Sequence, residues 1–270
     1  MVRNYFEEIW DLQDQWSKGI LVREVIKGKT VEVVLSDVSG QYNNFAFPLV
    51  SSPDELDLEE IKQLLGRNQS SPSVFLTENQ QQSGFVEFLV RHNFLLDARD
   101  SWVGYDTSSY VDSPVKAKIE EVSTQTFDDY SEVLGKVFVD FPGNEKYLEI
   151  CRRTLTGELK NDFPGLNSEF FLIYDNQKPV AGGGMFYSKE KNFAYLHDDG
   201  TLEEFRGKGY QTDIIKYRIN KAKELGIDRI YAIVEHGSTS WRNYLKLGLN
   251  QMQTIFILVE KNKTKPLPGL

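Results

Sequence analysis

Gly200-Thr201-Leu202-Glu203-Glu204-Phe205-Arg206-Gly207-Lys208-Gly209-Tyr210-Gln211 is the stretch on which the reading of this chain turns. The segment 199–226 around it reads as the end of a strand, a turn with two glycines about a lysine, and an amphipathic helix. Glycine at 207 and 209 permits backbone conformations in which successive N–H groups converge, and the helix start adds partial positive charge. Such a turn cradles an anion, most naturally a phosphate. In the helix, Ile215, Ile219, Ala222 and Leu225 recur at helical spacing while Lys216, Arg218, Lys221 and Lys223 fall on other faces. Gly226 stands where a C′ glycine would stop it. An isolated Arg-Gly-Lys-Gly is more often an ordinary surface turn, so the reading depends on its neighbours.

Downstream, Arg229–Val234 reads as a buried strand, 235–240 as a loop with Ser238 and Ser240 as possible caps, and Trp241–Leu247 as a short helix ended by Gly248. A last strand runs over 252–259. Upstream lie a strand at 118–122, helices at 126–138 and 146–154, and strands at 169–174, 179–187 and 193–202. Asp175-Asn176-Gln177-Lys178 is a turn between two of these strands. Gly182-Gly183-Gly184 continues into no dinucleotide fingerprint, so these glycines mark a bulge or a close backbone approach.

The first part of the chain reads as a helix over 6–16, two β-rich runs (20–25 and 30–35) about Lys27-Gly28-Lys29, and a short strand at Phe45–Pro48. A helix follows from a Ser52-Pro53 cap to Leu65, then a strand at 74–77, a helix at 84–92 and a strand around 102–105. The polar, proline-ended segment 107–114 is the expected linker, with the boundary at Asp112. The expected organisation is an α+β domain over 1–112, a second domain over 113–262 and a tail, 263–270.

A chain of 270 residues with 40% hydrophobic and 26% charged residues has the composition of a soluble globular protein with room for two domains. A formal net charge of −9 argues against a nucleic-acid partner and is compatible with cationic amines. The single cysteine, Cys151, allows no intramolecular disulfide and no cysteine metal cluster, and is expected to be a buried or neutral thiol; no metal is expected. No apolar run has signal-peptide or membrane-span character, so a cytoplasmic protein with no membrane partner is expected.

The phosphate turn, the preceding Thr201-Leu202-Glu203-Glu204-Phe205 and the downstream Asn243-Tyr244-Leu245-Lys246-Leu247-Gly248-Leu249 together resemble the GNAT superfamily of acyl-CoA-dependent N-acetyltransferases. The resemblance covers roughly Val115–Glu260. It implies an α+β fold with a central mixed sheet flanked by helices, and acetyl-CoA as cosubstrate. In the motif that Arg206 opens, the turn residues Gly207, Lys208, Gly209, Tyr210, Gln211 and Thr212 would hold the coenzyme A pyrophosphate, and the backbone of Thr201 and Leu202 would lie beside the pantetheine arm. Ser240 and Asn243 would start the helix or touch the cofactor arm. Gln211 departs from the family's small residue, so its side chain must turn aside or donate a hydrogen bond of its own.

Tyr244 matches the family's general acid, which would protonate the departing thiolate; a phenol with a pKa of about 10 suits a thiolate near 8.5. The same tyrosine would also serve simply to pack the helix. For the base that takes the ammonium proton, the candidates are His197, Asp198, Asp199, Glu203 and Glu204; His197 has the suitable intrinsic pKa and Glu203 flanks the turn. Strand alternation does not say which of these face the acceptor. The expected reaction is transfer of an acetyl or short acyl group to a primary amine of a small molecule or peptide, by a monomer or homodimer. The alternatives are a non-catalytic acyl-CoA sensor and a nucleotide-phosphate binder. Residues 85–105 weakly echo 244–256, which suggests that the first domain is a degenerate GNAT-like half, an unrelated α+β domain being the other reading.

Overall fold

The computed structural model describes residues 23–66, 71–107, 110, 113–141, 143–158, 165 and 167–261. The helix expected over 6–16 and the tail 263–270 lie outside the described residues. Among these, two compact units are found: one holds 23–100 with 254–261, the other 101–253. The division precedes the linker read at 107–114, and the end of the last strand belongs with the first unit.

The first unit contains β1 (Arg23–Lys27), β2 (Val31–Ser36), β3 (Phe45–Pro48), α1 (Leu58–Gly66), β4 (Ser73–Thr77), α2 (Glu78–Gln82), α3 (Phe85–Arg91) and the start of β5 (Phe94–Asp106). The expected hairpin is there, with Ile26 opposite Val33. The helix expected from Ser52 begins later. Pro53–Glu55 forms only a 3-10 turn, Leu56 is extended, and Asp57 caps α1 by accepting from the Glu59 and Glu60 amides at 3.0 Å. Apolar faces of α1, α3, β2 and β4 close one core around Val33, Ile61, Leu65, Val74, Leu76, Phe85 and Leu89.

The second unit continues β5 and adds β6 (Ile119–Glu121), α4 (Phe127–Val137), α5 (Asn144–Leu155), β7 (Asn167–Asp175), β8 (Lys178–Ser188), β9 (Phe193–Thr201), α6 (Tyr210–Glu224), β10 (Arg229–Glu235), α7 (Thr239–Lys246) and the start of β11 (Asn250–Glu260). Its strands lie in the order β5-β10-β9-β8-β7-β6. Neighbours from β6 to β9 are antiparallel, whereas β10 is parallel to β9, so the sheet is mixed. Helices cover both faces: Tyr130 of α4 lies over Gly182, and Ile214 and Arg218 of α6 lie over Gly183. Successive strand residues point to opposite faces, which puts α4 and α6 on opposite sides.

The glycine triplet is a place of close approach, as its lack of a nucleotide fingerprint suggested. Opposite it, β9 bulges: Gly182 pairs with Gly200 but Gly184 with His197, and Asp198 takes a left-handed φ of 59°. A Cβ on Gly184 would come within 2.3 Å of the His197 ring, and one on Gly183 within 2.8 Å of Ile214. Gly184→Ala should therefore cost about 1–3 kcal/mol in urea unfolding. Gly135→Ala, in α4 with nothing within 4 Å of the added carbon, should be neutral or stabilising. Equal effects of the two substitutions would contradict this packing.

Candidate active site

The turn before α6 has the form its glycines require. Gly207 and Gly209 sit at φ 81° and 87°, and a Cβ added at either would meet nothing within 4 Å among the described residues, so conformation rather than crowding demands glycine. The first helical bond at this end runs from the Asp213 amide to the Gly209 carbonyl at 3.0 Å. The amides of Tyr210, Gln211 and Thr212 thus open the 15-residue helix without intrahelical acceptors and point the positive end of its dipole outward. At the far end Gly226, at φ 76°, donates to Lys223 O and Ile227 to Ala222 O, the paired bonds of a Schellman stop.

The turn's side chains are tied aside. The Lys208 ammonium lies 2.8 Å from Asp175 Oδ2, to which the Tyr210 hydroxyl also donates at 2.9 Å, and these bonds hold the Asp175 carboxyl below its usual range. Gln211 donates from Nε2 to Ser240 Oγ at 3.1 Å and accepts from Asn243 Nδ2 at 2.8 Å. Its long side chain therefore reaches toward α7, which accounts for a non-small residue at this place. Ser240 does not cap α7; Ser238 does, accepting from the Trp241 amide at 3.0 Å. Arg206 bonds its own strand end, Nε to Thr201 O at 3.3 Å.

Beside the turn, β9 and β10 part. Their pairing runs from Arg229 opposite Phe193 to Ala232 opposite Leu196, while β9 continues to Thr201 and β10 to Glu235. The Thr201 hydroxyl is buried there with no hydrogen-bond partner among the described residues. The Leu202 amide is engaged by Val180 O at 2.9 Å.

The bulge divides the candidate acid–base residues between the two faces of the sheet. On the α6 and α7 face, the buried Tyr244 hydroxyl donates to Asp199 Oδ2, and Arg218 Nη2 donates to Asp199 Oδ1. Arg218 was expected on a polar face of the helix; it is wholly buried instead, because Asp199 and the Gly184 and His197 carbonyls, at 2.6 and 3.1 Å from Nη1, supply what solvent would. Its spacing of four from Ile214 and Ala222 placed it on the inner stripe, a signal its charge obscured. Burial and the Asp199 carboxylate push the Tyr244 phenol well above its ordinary pKa, with Arg218 opposing. The Tyr-x-x-x-Gly spacing has a backbone cause: Gly248, at φ 93°, is C′, and Leu249 N–H returns to Tyr244 O at 3.2 Å.

On the α4 and α5 face, His197 Nδ1 lies 2.8 Å from Asp198 Oδ2, and its ring stacks on Phe186 at 4.0 Å. The Tyr147 hydroxyl donates to the same Asp198 oxygen at 2.8 Å and lies 3.1 Å from His197 Nδ1; Tyr130 donates to it at 3.4 Å. Burial raises both phenols well above the ordinary value, and likewise the thiol of buried Cys151 nearby. Tyr130 and Tyr147 carried no sequence signal that set them apart from core aromatics. Glu203 joins neither group: it is exposed on the 3-10 turn Glu203–Phe205, and its neighbour Glu204 pairs with Lys178 at 3.0 Å.

Among the described residues no group of three or more His, Cys, Asp or Glu is arranged to hold a metal ion, and no helix is long and apolar enough to cross a membrane.

A mixed sheet with helices on both faces, its strands parting beside a glycine turn at a helix N-terminus, makes this an α+β domain. The sequence model described as "Acetyltransferase (GNAT) family" matches residues 138–249. The chain is 22% identical over 104 residues to the uncharacterized N-acetyltransferase CgeE of Bacillus subtilis (strain 168), a match spanning 36% of this chain and 40% of that protein. A GCN5-related N-acetyltransferase from Kribbella flavida superposes with a TM-score of 0.66 at 17% identity, covering 93% of this chain and 95% of its own. A tandem GNAT protein from the clavulanic acid biosynthesis pathway superposes with a TM-score of 0.54 at 11% identity, covering 84% and 77%. The C-terminal part of the chain is a GNAT superfamily domain.

Proposed function

We propose that the chain transfers an acetyl or other short acyl group from acyl-CoA to a primary amine of a small molecule or peptide, by direct attack in a ternary complex. The observation that carries this reading is the pair of positive-φ glycines, Gly207 and Gly209, opening the start of α6 beside the parting of β9 and β10. The residues present fit a coenzyme A group. Amides from Gly207 to Thr212 would hold its pyrophosphate, no described residue crowds a Cβ built on either glycine, and the Thr201 hydroxyl would gain a partner along the arm. Bound there, the acyl thioester supplies the carbonyl that the amine attacks.

The acceptor arrives as ammonium and must lose a proton first. His197 takes that role, with Asp198 accepting from Nδ1–H so that Nε2 carries the receiving lone pair. Tyr244, on the opposite face, supplies the proton to the leaving thiolate. Amides of the splayed end of β9 stabilise the charge that develops on the carbonyl oxygen. Glu203, exposed, serves as a base only through water.

Free-thiol release from acetyl-CoA across a panel of primary amines tests the reading. Amine-dependent release is expected; stabilisation by acetyl-CoA without release would favour an acyl-CoA sensor, and stabilisation by ATP or GTP instead would favour a nucleotide binder. The alignment of Kribbella and tandem GNAT structures over more than the C-terminal part supports reading the first unit as a degenerate GNAT-like half that lacks a phosphate turn.

A further inference from the structure

We infer that Asp199 and Arg218 are positioning residues for Tyr244, one holding the hydroxyl proton and the other standing ready for the phenolate left when that proton is given up. This rests on the acyl-transfer reading above.

The geometry is a closed chain. Asp199 accepts from Tyr244 through one oxygen and from Arg218 through the other, and Arg218 Nη2 is also 3.5 Å from the Tyr244 hydroxyl oxygen. The guanidinium is fixed by three further carbonyls: Gly184 at 2.6 Å, His197 at 3.1 Å and, from Nε, Ile214 at 3.3 Å. It has no freedom to turn away. A buried ion pair is a weak way to stabilise a core, since apolar side chains of the same volume do as well or better. The fold nevertheless accommodates it against glycine: a Cβ on Gly183 would lie 3.1 Å from Asp199 Oδ1 and 3.3 Å from Arg218 Cζ, besides 2.8 Å from Ile214.

A phenol beside a lone carboxylate is a poor acid, because ionising it would set two negative charges together. With Arg218 within reach of the same oxygen, the phenolate gains a cation at the moment the O–H bond breaks and the S–H bond forms. Charge balances: the thiolate is neutralised, the phenolate pairs with the guanidinium, and water re-protonates the phenol after product leaves. The charged groups acting on the phenol are Asp199 from β9 and Arg218 from α6; His197 acts on Asp199 in turn. The core around them, including Leu196, Ile215, Ala232 and Val234, is apolar.

Opposite charges predict opposite effects, which mere packing does not. An acid works only while protonated, so its rate is lost as pH rises through its pKa. Asp199→Asn should bring the alkaline limb of kcat down by about one pH unit or more. Arg218→Gln should lower kcat about tenfold or more at every pH with the KM for acetyl-CoA unchanged, and Arg218→Lys, which keeps the cation but loses the planar fork, should recover only part of that loss. In a Tyr244→Phe background neither Asp199→Asn nor Arg218→Lys should alter the pH profile further. If Tyr244→Phe alone keeps full kcat, the acid reading has failed. If Tyr244→Phe is impaired but folded Asp199→Asn keeps the wild-type profile and Arg218→Gln keeps wild-type kcat, this inference is overturned and the acid reading stands. Should Asp199→Asn and Arg218→Gln not fold, Arg218→Lys decides: a point charge moved off the planar fork should lower kcat at unchanged KM, and wild-type kcat overturns the inference.

Discussion

Gly209→Glu should weaken acetyl-CoA binding about a hundredfold or more in titration calorimetry, equivalent to roughly 2.7 kcal/mol. Two effects combine at this position. The residue sits at φ 87° as the N-cap of α6, a conformation costly to any residue with a Cβ. The new carboxylate would also occupy the space in front of the Tyr210, Gln211 and Thr212 amides and repel the pyrophosphate from the helix start. Gly209→Ala separates the two, since alanine carries the conformational cost without the charge and should give a smaller loss. Affinity unchanged in Gly209→Glu would mean that the anion is held elsewhere.

Tyr244→Phe is expected to lower kcat about a hundredfold while leaving acetyl-CoA affinity within about twofold, because the phenyl ring keeps the packing of α7 and removes only the acidic hydrogen. The variant also strips Asp199 of a buried donor, so a loss of about 1–3 kcal/mol in unfolding free energy should accompany it. The wild-type phenol is held well above its ordinary pKa by burial and by Asp199, so its own ionisation should cost no activity through neutral and mildly alkaline pH. Wild-type turnover in Tyr244→Phe would reassign the tyrosine to packing.

Much of the second unit was legible because its signals are local. The order of strands and helices from residue 118 to 259 follows from apolar periodicity and from glycines that stop helices, and those glycines do stop them: Gly226 and Gly248 are both at positive φ with the return bonds of a Schellman end. Even the Tyr-x-x-x-Gly signature is local, a matter of C3 and C′ in one helix. Ser52 misled for an equally local reason: Ser-Pro-Asp-Glu is a good helix opening, but Leu56 leaves helical geometry and Asp57 starts the helix afresh.

The candidate chemistry was legible only as a set of residues. His197, Asp198 and Asp199 are consecutive, and strict alternation would put His197 and Asp199 on one face with Asp198 on the other. The bulge overrides that, placing His197 and Asp198 together among Tyr130 and Tyr147 and turning Asp199 to Arg218 and Tyr244.

The sequence by itself determined the glycine turn before α6, since two glycines at a helix start need nothing beyond their own backbone freedom to form it. The sides on which His197 and Tyr244, the proposed proton acceptor and donor, stand were decided by tertiary structure alone. A bulge arises from how β9 pairs with β8, where the ring of His197 must lie flat on Gly184 and the Asp199–Arg218 pair must pass over Gly183. That register belongs to two strands at once, so neither strand's own pattern contains it.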